Sequence, residues 1–172
     1  DKSFNQNSFI TLVNTNVYRR QSARKSNVIG LLGSITNKKK THAYNVGLKG
    51  SLIRDIENTS GFYSSFGFEK LNGKIKYSFN NYIESDQYDI GDMGFIEQNN
   101  EINNTAKIAY AIFSSEEKIA KKLNLLRGFF DLSIEHKMLY KPLDYNEFIV
   151  KIDGRITNTN HLSTFFKIRY FF

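Results

Sequence analysis

The sequence predicts an all-β protein: an antiparallel, up-and-down transmembrane β-barrel, or a contiguous section of one, with about 8–10 long strands. Three observations predict this fold class. Apolar and polar residues alternate along most of the chain, the alternating segments are long enough to span a membrane, and long and short connections alternate between them. Residues 1–172 are therefore interpreted as a single β-barrel domain or barrel segment.

The composition excludes several other classes of protein. The absence of Cys excludes a disulfide scaffold, a zinc finger and a cysteine enzyme. Aromatic residues make up 15% of the chain, and that many rings are expected to pack together rather than remain disordered. No run of about 18 apolar residues occurs, so a transmembrane helix is not expected. The chain begins at Asp1 without a signal-peptide pattern, which suggests processing or excision from a longer chain.

Six strands are predicted directly from their alternation, most clearly the one over 75–83. In a strand this spacing places the apolar side chains on one face and the polar side chains on the other. The positions assigned to the apolar faces are, in chain order, Phe9, Thr11, Val13, Thr15 and Val17; His42, Tyr44, Val46, Leu48 and Leu52; Phe62, Phe66 and Phe68; Ile75, Tyr77, Phe79, Asn81 and Ile83; Ile102, Ala106, Ile108, Tyr110 and Ile112; and Leu162, Thr164, Phe166, Ile168, Tyr170 and Phe172.

In all, about nine strands of ~9–13 residues are predicted, centred near residues 13, 32, 48, 66, 78, 108, 129, 151 and 167. Strands of soluble proteins average ~5–6 residues, whereas a tilted strand needs ~9–11 residues to cross a bilayer. Strand length therefore favours a membrane barrel over a soluble β-sandwich or lipocalin-like barrel, which stays the alternative. The segment 115–127 has a weak helical pattern and is interpreted as a hairpin loop that leads into a strand at Leu123.

The predicted connections are long at one end of the sheet and short at the other. Asn72-Gly73 predicts a type I′ hairpin turn, in which both central residues need a positive φ. Long loops at one end and tight turns at the other are typical of outer-membrane barrels. The predicted long connections are 19–26, 55–61, 85–100 and 137–144, and the predicted short ones are 37–40, 72–73, 115–122 and 157–161.

In a barrel, the apolar faces contact lipid and the polar faces line the interior. Tyrosines near the strand ends are expected to form an aromatic girdle at the level of the lipid headgroups. The residues predicted to point inward are Lys49, Glu69, Lys74, Lys76, Asn80, Lys107, Lys151, Asp153, Arg155, Lys167 and Arg169. The girdle is assigned to Tyr18, Tyr63, Tyr77, Tyr82, Tyr88, Tyr110, Tyr140, Tyr145 and Tyr170.

One acidic segment is a candidate calcium loop. Glu84, Asp86, Asp89 and Asp92 lie close together and are interspersed with glycines, and Ca²⁺ takes ~6–8 oxygen ligands. The spacing departs from that of an EF-hand. The ordinary interpretation, a polar loop whose Asp side chains cap turns, explains the same residues and is preferred. Calcium is the only cofactor that the sequence suggests.

Two basic runs, within 19–25 and 38–40, account for much of the net charge of +7. They occupy consecutive connections and are therefore expected at opposite ends of the sheet. A nucleic-acid groove needs its cations on one continuous face together with stacking aromatic side chains, so no nucleic-acid partner is predicted.

No enzymatic activity is predicted. His42, His136 and His161 are far apart in sequence, and no metalloprotease, hydrolase, phosphate-binding or dinucleotide-binding motif is present. An outer-membrane hydrolase that uses His42 or His136 with a serine is the remaining enzymatic alternative.

Three stretches resemble an uncharacterised bacterial family of membrane-associated β-barrel domains. They are SFITLVNTNVYR, NVIGLLGSITNKKKTHAYNVGLKGSL and FGFEKLNGKIKYSFNNYIESDQYDIGDMGFIEQNNEI, and the sharpest similarity lies over 83–101, supported by the turn at 37–39. Members of that family lie C-terminal to a family-9-like carbohydrate-binding module in large outer-membrane proteins. The resemblance covers residues 8–112 well and the remainder by strand pattern.

The resemblance implies a location in the cell outer membrane and a role in surface transport or glycan handling, and it brings no catalytic residues. The family's barrel is longer than this chain, and bacterial barrels have even numbers of strands, so nine strands suggest a segment. We therefore expect a pore, anchor or assembly subunit. Its expected partners are outer-membrane lipid, lipopolysaccharide and other outer-membrane or surface subunits.

Overall fold

A computed structural model describes residues 2–5, 8–18, 24–90, 99–113 and 118–172. These residues form ten strands and one short helix, and the strands after the first are nine to fifteen residues long. All nine predicted strand centres fall within these longer strands. The bounds are β1 Lys2–Asn5, β2 Ser8–Tyr18, β3 Lys25–Thr36, β4 His42–Arg54, β5 Thr59–Lys70, β6 Ile75–Glu84, β7 Glu101–Phe113, α1 Lys118–Lys122, β8 Leu125–Leu139, β9 Asp144–Asn158 and β10 Ser163–Phe171.

The ten strands form one sheet in chain order, and the neighbouring strands are antiparallel. This arrangement confirms the predicted all-β, up-and-down class. Within the residues that the structure describes, the outer edges of β1 and β10 have no strand partner, so closure into a barrel stays a prediction. No helix in the described ranges is long and apolar enough to cross a membrane.

The connections at the two ends differ less in length than the sequence predicts. The loop end comprises connections 19–24, 55–58, 85–100 and 140–143, and the turn end comprises 37–41, 71–74, 114–124 and 159–162. The predicted long connections 55–61 and 137–144 are present but shorter than predicted, because β5 already begins at Thr59 and β8 continues to Leu139. Residues 59–61 pair with β4 and residues 137–139 pair with β7, which the side-chain pattern does not reveal.

Two details of the turn end also differ from prediction. Gly73 has a φ of 93°, but Asn72 is not in the left-handed region, so the predicted type I′ turn was wrong. The segment interpreted as a loop contains α1, and β8 begins at Leu125 rather than Leu123. Asn124, with a φ of 53°, separates that helix from the strand.

The register shows which side chains share a face of the sheet, because residues paired across neighbouring strands point to the same side. We call one side the apolar face; its central row is Tyr77, Ile108, Leu132, Ile152 and Ile168. We call the opposite side the polar face; its adjacent row is Ser78, Lys107, Ser133, Lys151 and Arg169. The strand residues predicted to point inward all lie on the polar face, so their grouping is confirmed.

The face predicted for β2 was wrong. Val13 pairs with Gly30, which pairs with Lys49, so the predicted set from Phe9 to Val17 lies on the polar face. Leu12 pairs with Leu31 and belongs to the apolar face instead. Because β2 has apolar residues at adjacent positions, its alternation alone does not identify which of its sides belongs to the apolar face.

Candidate functional site

The polar face is the more buried side of the sheet. Ser51 and Glu101 on this face are 1% and 8% exposed, whereas Leu12, Leu48 and Ile168 on the apolar face are 69%, 56% and 56% exposed. A sheet with one face in water normally buries its apolar side and exposes its polar side. The inverted arrangement makes the polar face, where charged groups converge, the candidate functional site.

A network of charged side chains crosses the polar face from β7 to β9, with Glu135 at its centre. Glu135 contacts Lys151 at 2.5 Å and Lys137 at 3.3 Å, and Asn103 Nδ2 donates to Glu135 Oε1 at 3.3 Å. Lys137 also lies 3.3 Å from Glu147. Charged groups that are partly removed from water need partners of this kind, so the network satisfies the charges on this part of the face.

A second group of charges borders a cleft of about 330 Å³ between β8, β9 and β10. Lys107 Nζ lies 3.1 Å from Asp131 Oδ1, and Lys167 Nζ lies 3.7 Å from Asp153 Oδ1. Phenylalanine rings line the same cleft, so a polar solute would meet charged groups beside aromatic planes. The lining residues are Phe129, Asp131, Asp153, Gly154, Arg155, Phe165, Phe166 and Lys167.

Residues 85–90, which we call the inward segment, fold from the loop end onto the polar face. Phe62 N donates to Ser85 Oγ at 2.9 Å, and Ser85 N donates to the Phe62 carbonyl oxygen at 3.0 Å. Tyr88 is only 2% exposed. A Cβ at Gly61 would lie 2.2 Å from Tyr88 N, so the segment approaches β5 as closely as only a glycine permits.

Side chains from three other parts of the chain hold the inward segment. Asp89 N donates to Ser51 Oγ at 3.1 Å, and Arg24 Nη2 lies 3.2 Å from Asp89 Oδ2. Lys141 belongs to the neighbouring connection, 140–143, and its Nζ lies 3.5 Å from Asp86 Oδ2. These contacts fix the segment over β4 and β5, where it covers part of the polar face near the loop end.

Three tyrosines assigned to the girdle instead cluster on the polar face, where Tyr88 of the inward segment lies over Tyr63, which in turn stacks on Tyr82. The ring centroids of Tyr63 and Tyr82 lie 6.3 Å apart, and those of Tyr63 and Tyr88 lie 6.0 Å apart. Burial raises the pKa of Tyr88 to about 12, with smaller contributions from Glu84 and Tyr63. The girdle prediction was therefore wrong for these three residues, because their positions near strand ends did not show which face they occupy.

The candidate calcium residues have different surroundings. Glu84 ends β6 on the polar face opposite Glu101, while Asp86 and Asp89 pair with Lys141 and Arg24. Asp92 lies outside the described residues. Across the described part of the chain, no group of three or more metal-ligating side chains is assembled. Calcium binding therefore stays a prediction.

The three histidines are separated in the structure as they are in the sequence. His42 stacks on Phe68 with ring centroids 5.8 Å apart, and its Nδ1 lies 2.9 Å from Thr41 Oγ1. His136 lies on the apolar face, paired with Asn104 and Phe148. The described hydrogen bonds of His42 and His136 include none to a serine.

Glu135→Gln tests the charged network. Loss of the carboxylate leaves Lys151 and Lys137 without their shared partner, and we expect the free energy of unfolding to fall by about 1–3 kcal/mol. Chemical denaturation followed by circular dichroism measures this change. Glu69→Gln is the matched control, because exposed Glu69 has no ion pair among the described residues, and a change within about 0.5 kcal/mol is expected there. Equal effects of the two substitutions would contradict a stabilising network.

A family model described as "Domain of unknown function (DUF5916)" matches residues 1–171. No curated protein and no solved structure matches the chain.

Proposed function

The chain belongs to this family of unknown function, and we propose that it forms the wall of a transmembrane β-barrel pore in the outer membrane of a Gram-negative bacterium. In this proposal the apolar face contacts lipid and the polar face lines an aqueous interior. The role is non-enzymatic, and the immediate partners are outer-membrane lipid, lipopolysaccharide and other subunits of the bacterial surface.

The observation that carries the proposal is the exposure of the apolar face. Large apolar side chains on β2, β4, β6, β8 and β10 are about 40–70% exposed, although soluble monomers rarely expose apolar patches larger than a few hundred Å². Contact with lipid would remove the free-energy cost of exposing these apolar side chains to water. The polar face would keep its contact with water. The lengths of β2–β10 support the same arrangement, because each reaches the ~9–11 residues that a tilted strand needs.

Aromatic side chains at both ends of the apolar face support a bilayer as the covering medium. Tyr18, Tyr145 and Tyr170 lie toward the loop end and are 75%, 51% and 60% exposed. Tyr44 and Tyr77 lie toward the turn end and are 43% and 40% exposed. Tyrosine favours the boundary between headgroups and hydrocarbon, because its ring is apolar and its hydroxyl can stay hydrated.

The polar face and the inward segment support a pore rather than a passive anchor. The face carries both signs of charge, and the cleft between β8 and β10 lies on it. The inward segment narrows the space next to β4 and β5 at the loop end. A polar solute that moved along this face would pass the segment and then the charged rows of β6–β10.

The experiment compares the purified chain in buffer, in detergent and in lipid vesicles. We expect a monodisperse β-sheet protein only in detergent or vesicles, and a gel mobility that changes when the sample is heated. In vesicles, externally added protease should leave the strands of the sheet intact. A chain that is monodisperse and folded in buffer, without detergent, would contradict the proposal and favour the alternative of a soluble all-β binding module at the surface or in the periplasm.

A further inference from the structure

The connections of the turn end form a rim. Leu71 N donates to the Thr41 carbonyl oxygen at 2.8 Å, which joins the first two connections. Ala111 N donates to the Lys74 carbonyl oxygen at 2.9 Å, and Thr159 N donates to the Asn124 carbonyl oxygen at 3.0 Å. These bonds tie the first connection to the second, the second to the end of β7, and the third to the fourth, so the described turns of this end hold one another in place.

The connections of this rim carry a strong net positive charge. The turn-end connections contain seven Lys and two Glu, a net charge of +5 out of +7 for the whole chain. The loop-end connections contain four basic and six acidic residues, a net charge of −2. The two ends of the sheet thus have opposite charge. The rim lysines are Lys38, Lys39, Lys40, Lys74, Lys118, Lys121 and Lys122, and all seven side chains are exposed.

An aromatic cluster lies on the apolar face directly beside the rim. Phe68 packs against Tyr44, His42 and Tyr77 with ring centroids 5.0, 5.8 and 5.8 Å apart. Lys70 Nζ lies 5.7 Å from the centroid of the Tyr77 ring. Moving from the sheet toward the turns, the surface therefore changes from aliphatic to aromatic to cationic.

We infer that the turn-end rim binds the phosphate groups of anionic phospholipids at the surface of the membrane leaflet that it meets. This inference rests on the proposed membrane location and adds a lipid partner and an orientation to it. A leaflet presents hydrocarbon, then an interface that favours aromatic rings, then anionic phosphate, in the same order as the surface of the protein. Nucleic acid or an acidic protein would match the lysines but would leave the adjoining apolar face uncovered.

The test measures binding of the full chain to phosphatidylcholine vesicles with and without phosphatidylglycerol, by flotation at low and high salt. A lysine near an anionic leaflet contributes roughly a fivefold gain in partitioning. We therefore expect K38Q/K39Q/K40Q to lose at least about tenfold of the preference for phosphatidylglycerol, and salt to reduce the preference of the original chain. R19Q/R20Q/K25Q is the matched control, because it removes three positive charges from the loop end and should keep the preference.

The outcomes separate the two proposals. Equal binding to both vesicle types, or equal losses in the two triple variants, would overturn the lipid-binding rim and leave the membrane location intact. Failure to bind any vesicle would overturn the membrane location and the rim with it. Binding of a single-stranded oligonucleotide as tightly as the anionic vesicles would assign the rim to nucleic acid instead.

Discussion

Leu48→Arg is expected to destabilise the bilayer-folded protein by about 2–4 kcal/mol. Leu48 is the central residue of β4, pairs with Leu31 and Ser64, and is 56% exposed on the apolar face. On the lipid side of a barrel an arginine at mid-membrane depth must leave water, which costs about that much. On a water-exposed face the same change would alter stability by only about 0.5 kcal/mol. Urea titration of the protein in vesicles measures the difference.

Ile56→Arg is the matched control for that substitution. Ile56 lies in the 55–58 connection and is 98% exposed, so an arginine there stays hydrated in either environment. We expect no measurable change in stability. A neutral effect of Leu48→Arg in vesicles would contradict contact between the apolar face and lipid, even if the chain binds membranes by another surface.

Gly61→Ala is expected to displace the inward segment and to lower stability by about 1–3 kcal/mol. The added methyl group would lie 2.2 Å from Tyr88 N and 2.3 Å from the Gln87 carbonyl carbon, which are backbone atoms that rotation of a side chain cannot move away. The hydrogen bonds between Ser85 and Phe62 and the burial of Tyr88 should be lost together. An endoprotease specific for acidic residues should then cleave within 85–100 faster, and the conductance of planar bilayers should rise if the segment narrows a pore.

Gly50→Ala provides the comparison for Gly61→Ala, since it adds the same methyl group to the adjacent strand. Its Cβ would lie 3.7 Å from Ile29 Cγ2, an ordinary contact, so stability and cleavage should hardly change. Increased cleavage without increased conductance would show that the segment folds onto the polar face but does not narrow a pore. Unchanged cleavage would contradict the close packing itself.

The sequence was most informative for strands whose two faces differ strongly in polarity. In β6, alternation over 75–83 identified both the strand and its apolar side, because four of the five alternating residues are apolar or aromatic. The same pattern correctly grouped residues as distant as Lys49 and Arg169 on the polar face. In β2, apolar side chains lie on both faces, and only pairing with β3 determined that Leu12 joins Leu31.

The candidate site was less predictable, because it is formed by contacts between residues that are far apart in the sequence. The acidic segment was recognised at Glu84, Asp86 and Asp89, but its ion pairs with Arg24 and Lys141 were not. Nothing local indicates that Tyr88 is buried against β5. The glycine at position 61 was a possible signal, although a glycine in a strand has several common explanations.

By itself, the sequence determined the number and spacing of the long strands and the chemistry of most of their faces. These properties follow from the two-residue period of a strand, which can be recognised from residues that are close together in the sequence. Only the tertiary structure decided the face of β2, the ends of β5 and β8, and the folding of residues 85–90 over the polar face. Each of these depends on register and packing between strands, whose free energy comes from residues far apart in the chain.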